Sequence, residues 1–368
     1  MNAFSDLLQQ DGPFTKEQLT AMIGATGAHQ TLLHQKANEL AVKHCGNEVF
    51  LRGLIEFSNK CRKDCYYCGI RKSNRHTKRY DLADETILQT ALYAHENNLG
   101  SIVLQAGERN DPLFVDRMDA LLQAIKKATN GELGITLSLG EQSRDTYQRW
   151  FNSGAHRYLL RIETSHRDLY RQLHPDDERH DFEARIEALR AIKETGYQTG
   201  SGIMIGLPGQ RVDHLADDLL FLKEMDVDMV GMGPYIVHEQ TPLADQADGL
   251  WPLSQRFSMS LNMIAALRLL MPDINIAAST ALQAIDPMGR EKALKTGANI
   301  IMPNITPASN RKDYLLYDNK PCTDESADDC LSCLNMRIAL TGRKAGLKAW
   351  GDSPHYFKKN NNNTAQSK

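Results

Sequence analysis

Short apolar runs alternate with amphipathic helical stretches along most of the 368 residues, and this alternation constrains the fold more than any other feature. It is the pattern of repeated βα units, in which helices cover a buried parallel sheet. Eight runs read as strands, at 49–57, 101–105, 134–139, 156–162, 200–205, 229–233, 274–279 and 299–302. Between them, 85–98, 112–129, 182–195, 214–225, 254–270 and 288–296 carry helical periodicity. Glycines close behind several of these (Gly100, Gly131, Gly196, Gly297) suit helix C-termini. Eight units are what closes a complete (β/α)8 TIM barrel, an α/β fold; a six-strand partial barrel or a doubly wound sheet is the alternative. The division expected is an N-terminal helical extension at 1–45, the barrel at 46–320, a cysteine-containing extension at 321–358 and a disordered polar tail at 359–368.

Composition removes several classes of function. A net charge of -3, from 43 basic and 46 acidic residues, gives no reason to expect nucleic acid or an anionic membrane as partner. No apolar stretch reaches the length of about 18 residues that a spanning helix needs, and no basic-then-apolar leader opens the chain. A cytoplasmic enzyme is the expectation. Seven cysteines, six of them in two clusters, suit a reducing compartment where thiols bind metal. The basic run 71–79 reads as a solvated loop.

The first cysteine cluster, Cys61, Cys65 and Cys68, has CxxxCxxC spacing and follows the first apolar run. An iron-sulfur cube normally takes four cysteines, so three leave one iron with an open position. A structural zinc site would show paired knuckles, and no fourth ligand at that spacing lies nearby. In a barrel the active site lies at the C-terminal ends of the strands. There the chain carries Gln105, Gly107 and Glu108, then Gly140 and Glu141, then Arg161 and Glu163. Strand alternation gives Arg161 and Glu163 one facing, either as an ion network or as a polar pocket. Arg185 lies in the first turns of a helix, where it could point over the barrel mouth. The hinge Gly206-Leu207-Pro208-Gly209-Gln210 follows the fifth run. The second cluster, Cys322, Cys330 and Cys333, follows the eighth, and its spacing does not name a metal. Cys45 stands apart as an ordinary buried thiol.

CxxxCxxC followed by glycine, with Tyr67 before the last cysteine, resembles the radical S-adenosylmethionine (radical SAM) superfamily. In that superfamily a [4Fe-4S] cluster binds S-adenosylmethionine (SAM) at its open iron and reductively cleaves it to a 5′-deoxyadenosyl radical. Residues 56–59, the CRxxCxYCGIR run, 104–108 (with Ala106 where the usual GGE-type segment has glycine), 136–141, 157–164, 206–209 and 302–333 together resemble the HydE family of [FeFe]-hydrogenase maturases. The resemblance implies that Cys61, Cys65 and Cys68 hold the cluster, and that Tyr67, Gln105, Gly107 and Glu108 border SAM. It gives Glu163 the ribose and Arg185 the carboxylate. It implies a substrate cavity lined by Thr136, Arg161, Ser279, Thr280, Met302, Tyr314 and Tyr317, with Arg161 and hydroxyl groups gripping an anionic substrate. Cys322, Cys330 and Cys333 match a peripheral site for a second iron-sulfur cluster, [2Fe-2S] or [4Fe-4S].

The reaction implied is assembly of the dithiomethylamine-bridged di-iron subcluster of the hydrogenase H-cluster, on a small-molecule or iron-complex substrate. Its implied partners are a tyrosine-cleaving radical SAM maturase, a GTPase scaffold and an electron donor such as flavodoxin or ferredoxin. Biotin synthase shares the opening runs but keeps cysteines inside its barrel, whereas no cysteine here falls on the second to eighth strands. Methylornithine synthase is nearer; the C-terminal cysteines and the run 136–141 favour the maturase. A non-enzymatic iron-sulfur scaffold would leave Glu108, Glu163 and Arg185 without a purpose.

Overall fold

Each of the eight apolar runs forms a strand in the computed structural model, which describes residues 3–10, 12–324 and 327–366. The strands are β1 (Glu48–Ser58), β2 (Ser101–Ala106), β3 (Gly134–Ser138), β4 (Arg157–Leu159), β5 (Gln198–Ser201), β6 (Met204–Ile205), β7 (Met229–Pro234), β8 (Asn275–Ala278), β9 (Ile300–Ile301) and β10 (Lys344–Gly346). They pair in the order β1-β2-β3-β4-β5-β7-β8-β9, and β9 returns to β1 at Phe50 and Leu51. Eight parallel strands therefore close a TIM barrel, with the intervening helices outside it. The run 200–205 divides into β5 and β6, the latter pairing with β7 near the mouth. The fourth run is a strand only as far as Leu159, because the chain turns beyond it to hold Glu163 at φ +66°.

Local signals set the helix ends. Phe182–Thr195 begins where Asp181 accepts the amide of Ala184 at 2.7 Å and stops at Gly196, whose φ is +101°. The N-terminal extension is helical, as expected, and covers the barrel's side. Lys16–Ile23 and Gly27–Cys45 lie against Leu253–Leu270, which is why that helix is buried almost all round. Asn262 on it donates to the carbonyls of Ile23 and Ala25, both at 2.9 Å.

The C-terminal segment seals the floor of the barrel. β10 adds in parallel to the start of β1, and Gly351 O accepts from Arg52 (3.0 Å) and Asn275 (2.8 Å). Arg157 donates to Trp350 O at 3.0 Å and pairs with Asp352. The barrel interior is thus accessible from the ends of the strands where the cysteine loop lies. The C-terminal helix spans Pro354–Gln366. Its first turns are pinned by His355 to Asp226 (2.6 Å) and Asp273 (3.1 Å) and by Lys359 to Asp228 (2.7 Å). A helix nucleated in this way propagates through asparagines when no proline or glycine stops it. Among the described residues no helix is long and apolar enough to cross a membrane.

Candidate functional site

From β1 the chain passes through Ser58 and Asn59 into the loop that carries Cys61, Cys65 and Cys68. Asn59 pins the base of this loop, donating to Lys78 O (2.8 Å) and Asp313 O (2.6 Å) and accepting from Tyr80 N (2.8 Å). Arg79 departs from the solvated run expected around it. It points inward and donates to the carbonyls of Asn59 and Ile70 (both 2.7 Å), Arg71 (2.5 Å) and Asn74 (3.1 Å). Gly107, just beyond β2, touches the loop so closely that a Cβ there would meet Lys60 O at 2.5 Å and Cys61 Cβ at 2.8 Å. Glycine is kept where the contact is made, and the alanine at 106 is accommodated one residue earlier.

Burial pushes all three thiols up. Cys65 rises to about 12, with the charge of Cys61 adding to the effect of burial and Arg185 and Lys63 opposing it; Cys68 rises well above its ordinary value. The three cysteines are half-buried, and thiolates this close to one another need a cationic centre among them, as metal binding supplies. The amides of Lys63 and Glu108 point at Cys61 Sγ at 3.4 and 3.3 Å.

A cavity of about 360 Å³ opens beneath the loop. Cys61, Cys68, Tyr67, Gln105, Gly107, Glu108, Arg161, Glu163 and Arg185 line it from the cysteine loop and the β2 to β5 side. Ser279, Thr280, Met302, Tyr314, Tyr317 and Cys322 line it from segments following β8 and β9. Thr136 is not with them. It lies two residues before the cavity-lining Ser138 on β3, roughly 6.5 Å lower along the strand. There its hydroxyl accepts from Arg157 Nε at 2.9 Å and borders a separate void of about 20 Å³. Met302 borders both spaces.

The polar residues of the first wall are tied to one another. Arg161 and Glu163 face the same way, as expected, but the turn beyond Leu159 sets that facing and not strand alternation; they form a bidentate pair at 2.7 and 2.8 Å. Arg161 also donates to Gly231 O and, at 3.0 Å, to Ile203 O. Four hydrogen bonds leave one guanidinium N–H for a ligand, so Arg161 chiefly positions Glu163. Holding a carboxylate residue in the left-handed region is a strain that proteins keep at functional sites. Glu108 is engaged too: its Oε2 accepts Glu141 N at 2.9 Å, with Lys63 Nζ at 3.7 Å and Arg62 Nε at 3.5 Å from the carboxylate.

Glu141 and Lys63, to which sequence reasoning assigned no role, complete this network. Glu141 lies 2.6 Å from Lys63 and 2.5 Å from Arg185. Burial pushes its carboxyl up, but Arg185 and Lys63 outweigh burial and hold it below the usual range. For Glu108 burial wins and the carboxyl is raised. Two further groups were missed on the other wall. Lys320 Nζ sits 2.5 Å from Glu56 Oε1, whose other oxygen accepts from Asn304 at 2.9 Å, and it lies 5.0 Å from the Tyr314 ring centre. Arg290 also lines the cavity. Lys63 inside the cysteine array and Glu141 just beyond the third strand were the signals available; Arg290 and Lys320 carried none of their own.

Of the C-terminal cysteines, Cys322 lines the cavity at φ +63° and Cys333 is exposed on the helix Ala327–Ala339. The charges of both act on Arg337. Cys330 belongs to the same helix, and its side chain lies outside the described residues.

Residues 55–222 match the radical SAM superfamily. The [FeFe] hydrogenase maturase subunit HydE of Thermotoga maritima is 45% identical over 346 residues, 94% of this chain and 95% of that one. The 3-methylornithine synthase of Methanosarcina acetivorans is 28% identical, over 86% of this chain and 87% of its own. Among solved structures, methylornithine synthase superposes with a TM-score of 0.78 at 26% identity, over 94% of this chain and 98% of that one. The maturase HydG of Carboxydothermus hydrogenoformans shares the fold, with a TM-score of 0.77 at 18% identity over 92% of this chain and 77% of that one. The thiol loop, the barrel and the near full-length identity agree: this chain belongs to the HydE family of the radical SAM superfamily.

Proposed function

We propose that this protein is a radical SAM enzyme of [FeFe]-hydrogenase maturation, acting in assembly of the dithiomethylamine-bridged di-iron subcluster. The observation that carries this reading is a three-thiol loop set over a closed barrel whose cavity has a charged wall beneath the loop and a hydroxyl-rich wall facing it. Cys61, Cys65 and Cys68 would hold a [4Fe-4S] cluster. When bound, the cluster supplies the electron that cleaves SAM to a 5′-deoxyadenosyl radical.

The chain's own residues bind, orient and exclude water. Tyr67 and the segment of Gln105, Gly107 and Glu108 would border SAM. Glu163 would accept from the ribose hydroxyls, held in place by Arg161. Arg185 would pair with the methionyl carboxylate, oriented by Glu141. Ser279, Thr280, Met302, Tyr314 and Tyr317 would shape the substrate space. Burial pushes both tyrosine hydroxyls up, so they act as neutral hydrogen-bond donors. Cys322, Cys330 and Cys333 would hold a second cluster in the C-terminal extension. The reading also implies the tyrosine-cleaving maturase and the GTPase scaffold as partners, and a flavodoxin or ferredoxin as electron donor.

The test is cell-free maturation of an apo-[FeFe]-hydrogenase with those two maturases present and this protein added or withheld. Hydrogen evolution that depends on the addition is expected. Activation to the same level without it would overturn the assignment.

A further inference from the structure

Charge is distributed unevenly in the cavity. Among the described residues, three carboxylates line it and each has its own cation: Glu56 with Lys320 at 2.5 Å, Glu163 with Arg161 at 2.7 Å, and Glu108 with Arg62 at 3.5 Å. The lining cation Arg185 has Glu141 at 2.5 Å. Arg290 has nothing comparable. It is 4% exposed, its Nε is buried without a partner, and it makes no hydrogen bond or ion pair with any described residue. The adjacent Glu291 is committed to Arg337, at 2.9 Å.

The backbone holds Arg290 there. At Gly289 a Cβ would meet Leu282 O at 2.2 Å, so this turn is pressed against the helix Thr280–Ile285. The charge of Arg290 acts on Tyr317, whose hydroxyl shares a hydrogen bond with Thr280 Oγ1 at 2.9 Å. The side chain is thus anchored at a buried Nε while it lines the cavity, and a guanidinium's planar fork matches a carboxylate bidentately.

We propose that Arg290, with Thr280 and Tyr317 beside it, binds a carboxylate of the substrate on the wall formed after β8. This rests on the cavity being the substrate site, and it moves the anion-gripping role from Arg161, which is occupied, to Arg290. Other buried arginines have carboxylate or carbonyl partners: Arg157 has Asp352, and Arg268 donates to Gly297 O at 2.9 Å and Ile274 O at 2.7 Å.

The test is anaerobic thermal unfolding of the cluster-reconstituted full-length protein with and without sodium formate, the smallest carboxylate. For the native protein, saturating formate is expected to raise Tm by at least about 2 °C. Arg290→Met should unfold no lower than the native protein in buffer alone, since it removes an unpaired buried charge, and should lose the rise. The same rise in Arg290→Met, or a lower Tm in buffer alone, would overturn the proposal by making Arg290 a structural cation. Arg290→Lys, which keeps the charge but not the fork, should show a reduced rise; a rise equal to the native one would also count against it. Formate binding is independent of the maturase reading. Loss of substrate-stimulated SAM cleavage in the native protein would remove that reading while leaving the carboxylate site intact.

Discussion

The two walls of the cavity are built on different principles. On the cysteine-loop side, Lys63, Glu108, Glu141 and Arg185 form one connected network, and Arg161 and Glu163 form a bidentate pair. On the β8 and β9 side, Ser279, Thr280, Arg290, Tyr317 and Lys320 come from three separate segments, and one cation stands unpaired among the described residues. On the proposed reading, the first wall suits a ligand whose charges are fixed, as those of a cofactor are, and the second a charge that the substrate brings. Under that reading the residues of the first wall lie in contiguous motifs, while those of the second are brought together by packing.

The largest effect that separates the walls should come from the loop. Cys65→Ser should lower reconstituted iron content and reduce 5′-deoxyadenosine formation by at least about 100-fold, read by iron assay and chromatography. Retained cleavage would place the initiating chemistry elsewhere. Glu141→Gln should be next. It leaves Lys63 and Arg185 buried with less compensation, at a cost of about 3 kcal/mol, so both Tm and SAM affinity should fall. An unchanged SAM Kd would detach the network from the cofactor wall.

Arg161→Met sharpens the comparison further. If Arg161 positions Glu163, the half-saturating SAM concentration should rise about tenfold, with a smaller change in substrate response. The reverse order would return Arg161 to substrate binding. Cys333→Ser should spare SAM cleavage, because Cys333 is exposed and distant in sequence from the loop; loss of cleavage would make the C-terminal site part of initiation.

The smallest effect concerns pH. Asp226 and Asp273 raise His355 to about 9, from an ordinary value near 6.5. A folded-state pKa raised in this way gives stability that is fully present below about pH 6.5 and is lost as pH rises through about 9. Melting curves of the native protein should therefore fall more steeply between those values than curves of His355→Gln. Parallel curves would mean that the C-terminal helix is not held by this charge.

The legibility of the sequence follows the same division. Eight apolar runs were enough to read the barrel, since strands buried on both faces cannot hide their composition. The cysteine loop was readable because its three cysteines lie within eight residues of one another. The common facing of Arg161 and Glu163 was expected from strand alternation but arises in the turn beyond Leu159, and their mutual pairing was one of two options. Thr136 was expected in the cavity from the family resemblance alone, and the strand pattern carried no signal of how deep in the barrel it sits. Arg290 and Lys320 were not legible at all. An arginine in a helical first turn and a lysine in a loop are ordinary surface residues until tertiary packing buries them. β10 is three residues long and carries no strand pattern of its own; it exists because β1 offers it an edge. The helix at the C-terminus was likewise hidden, because its anchors on Asp226 and Asp273 are remote in sequence.

The most direct test of the account is the yield of 5′-deoxyadenosine from anaerobically reconstituted, reduced protein given SAM, with and without the iron-cysteine complex made by the tyrosine-cleaving maturase. Cleavage that the complex stimulates is expected. Cleavage at the same rate with and without the complex would contradict the assignment of the cavity to that substrate, and no cleavage at all would contradict radical initiation by this loop.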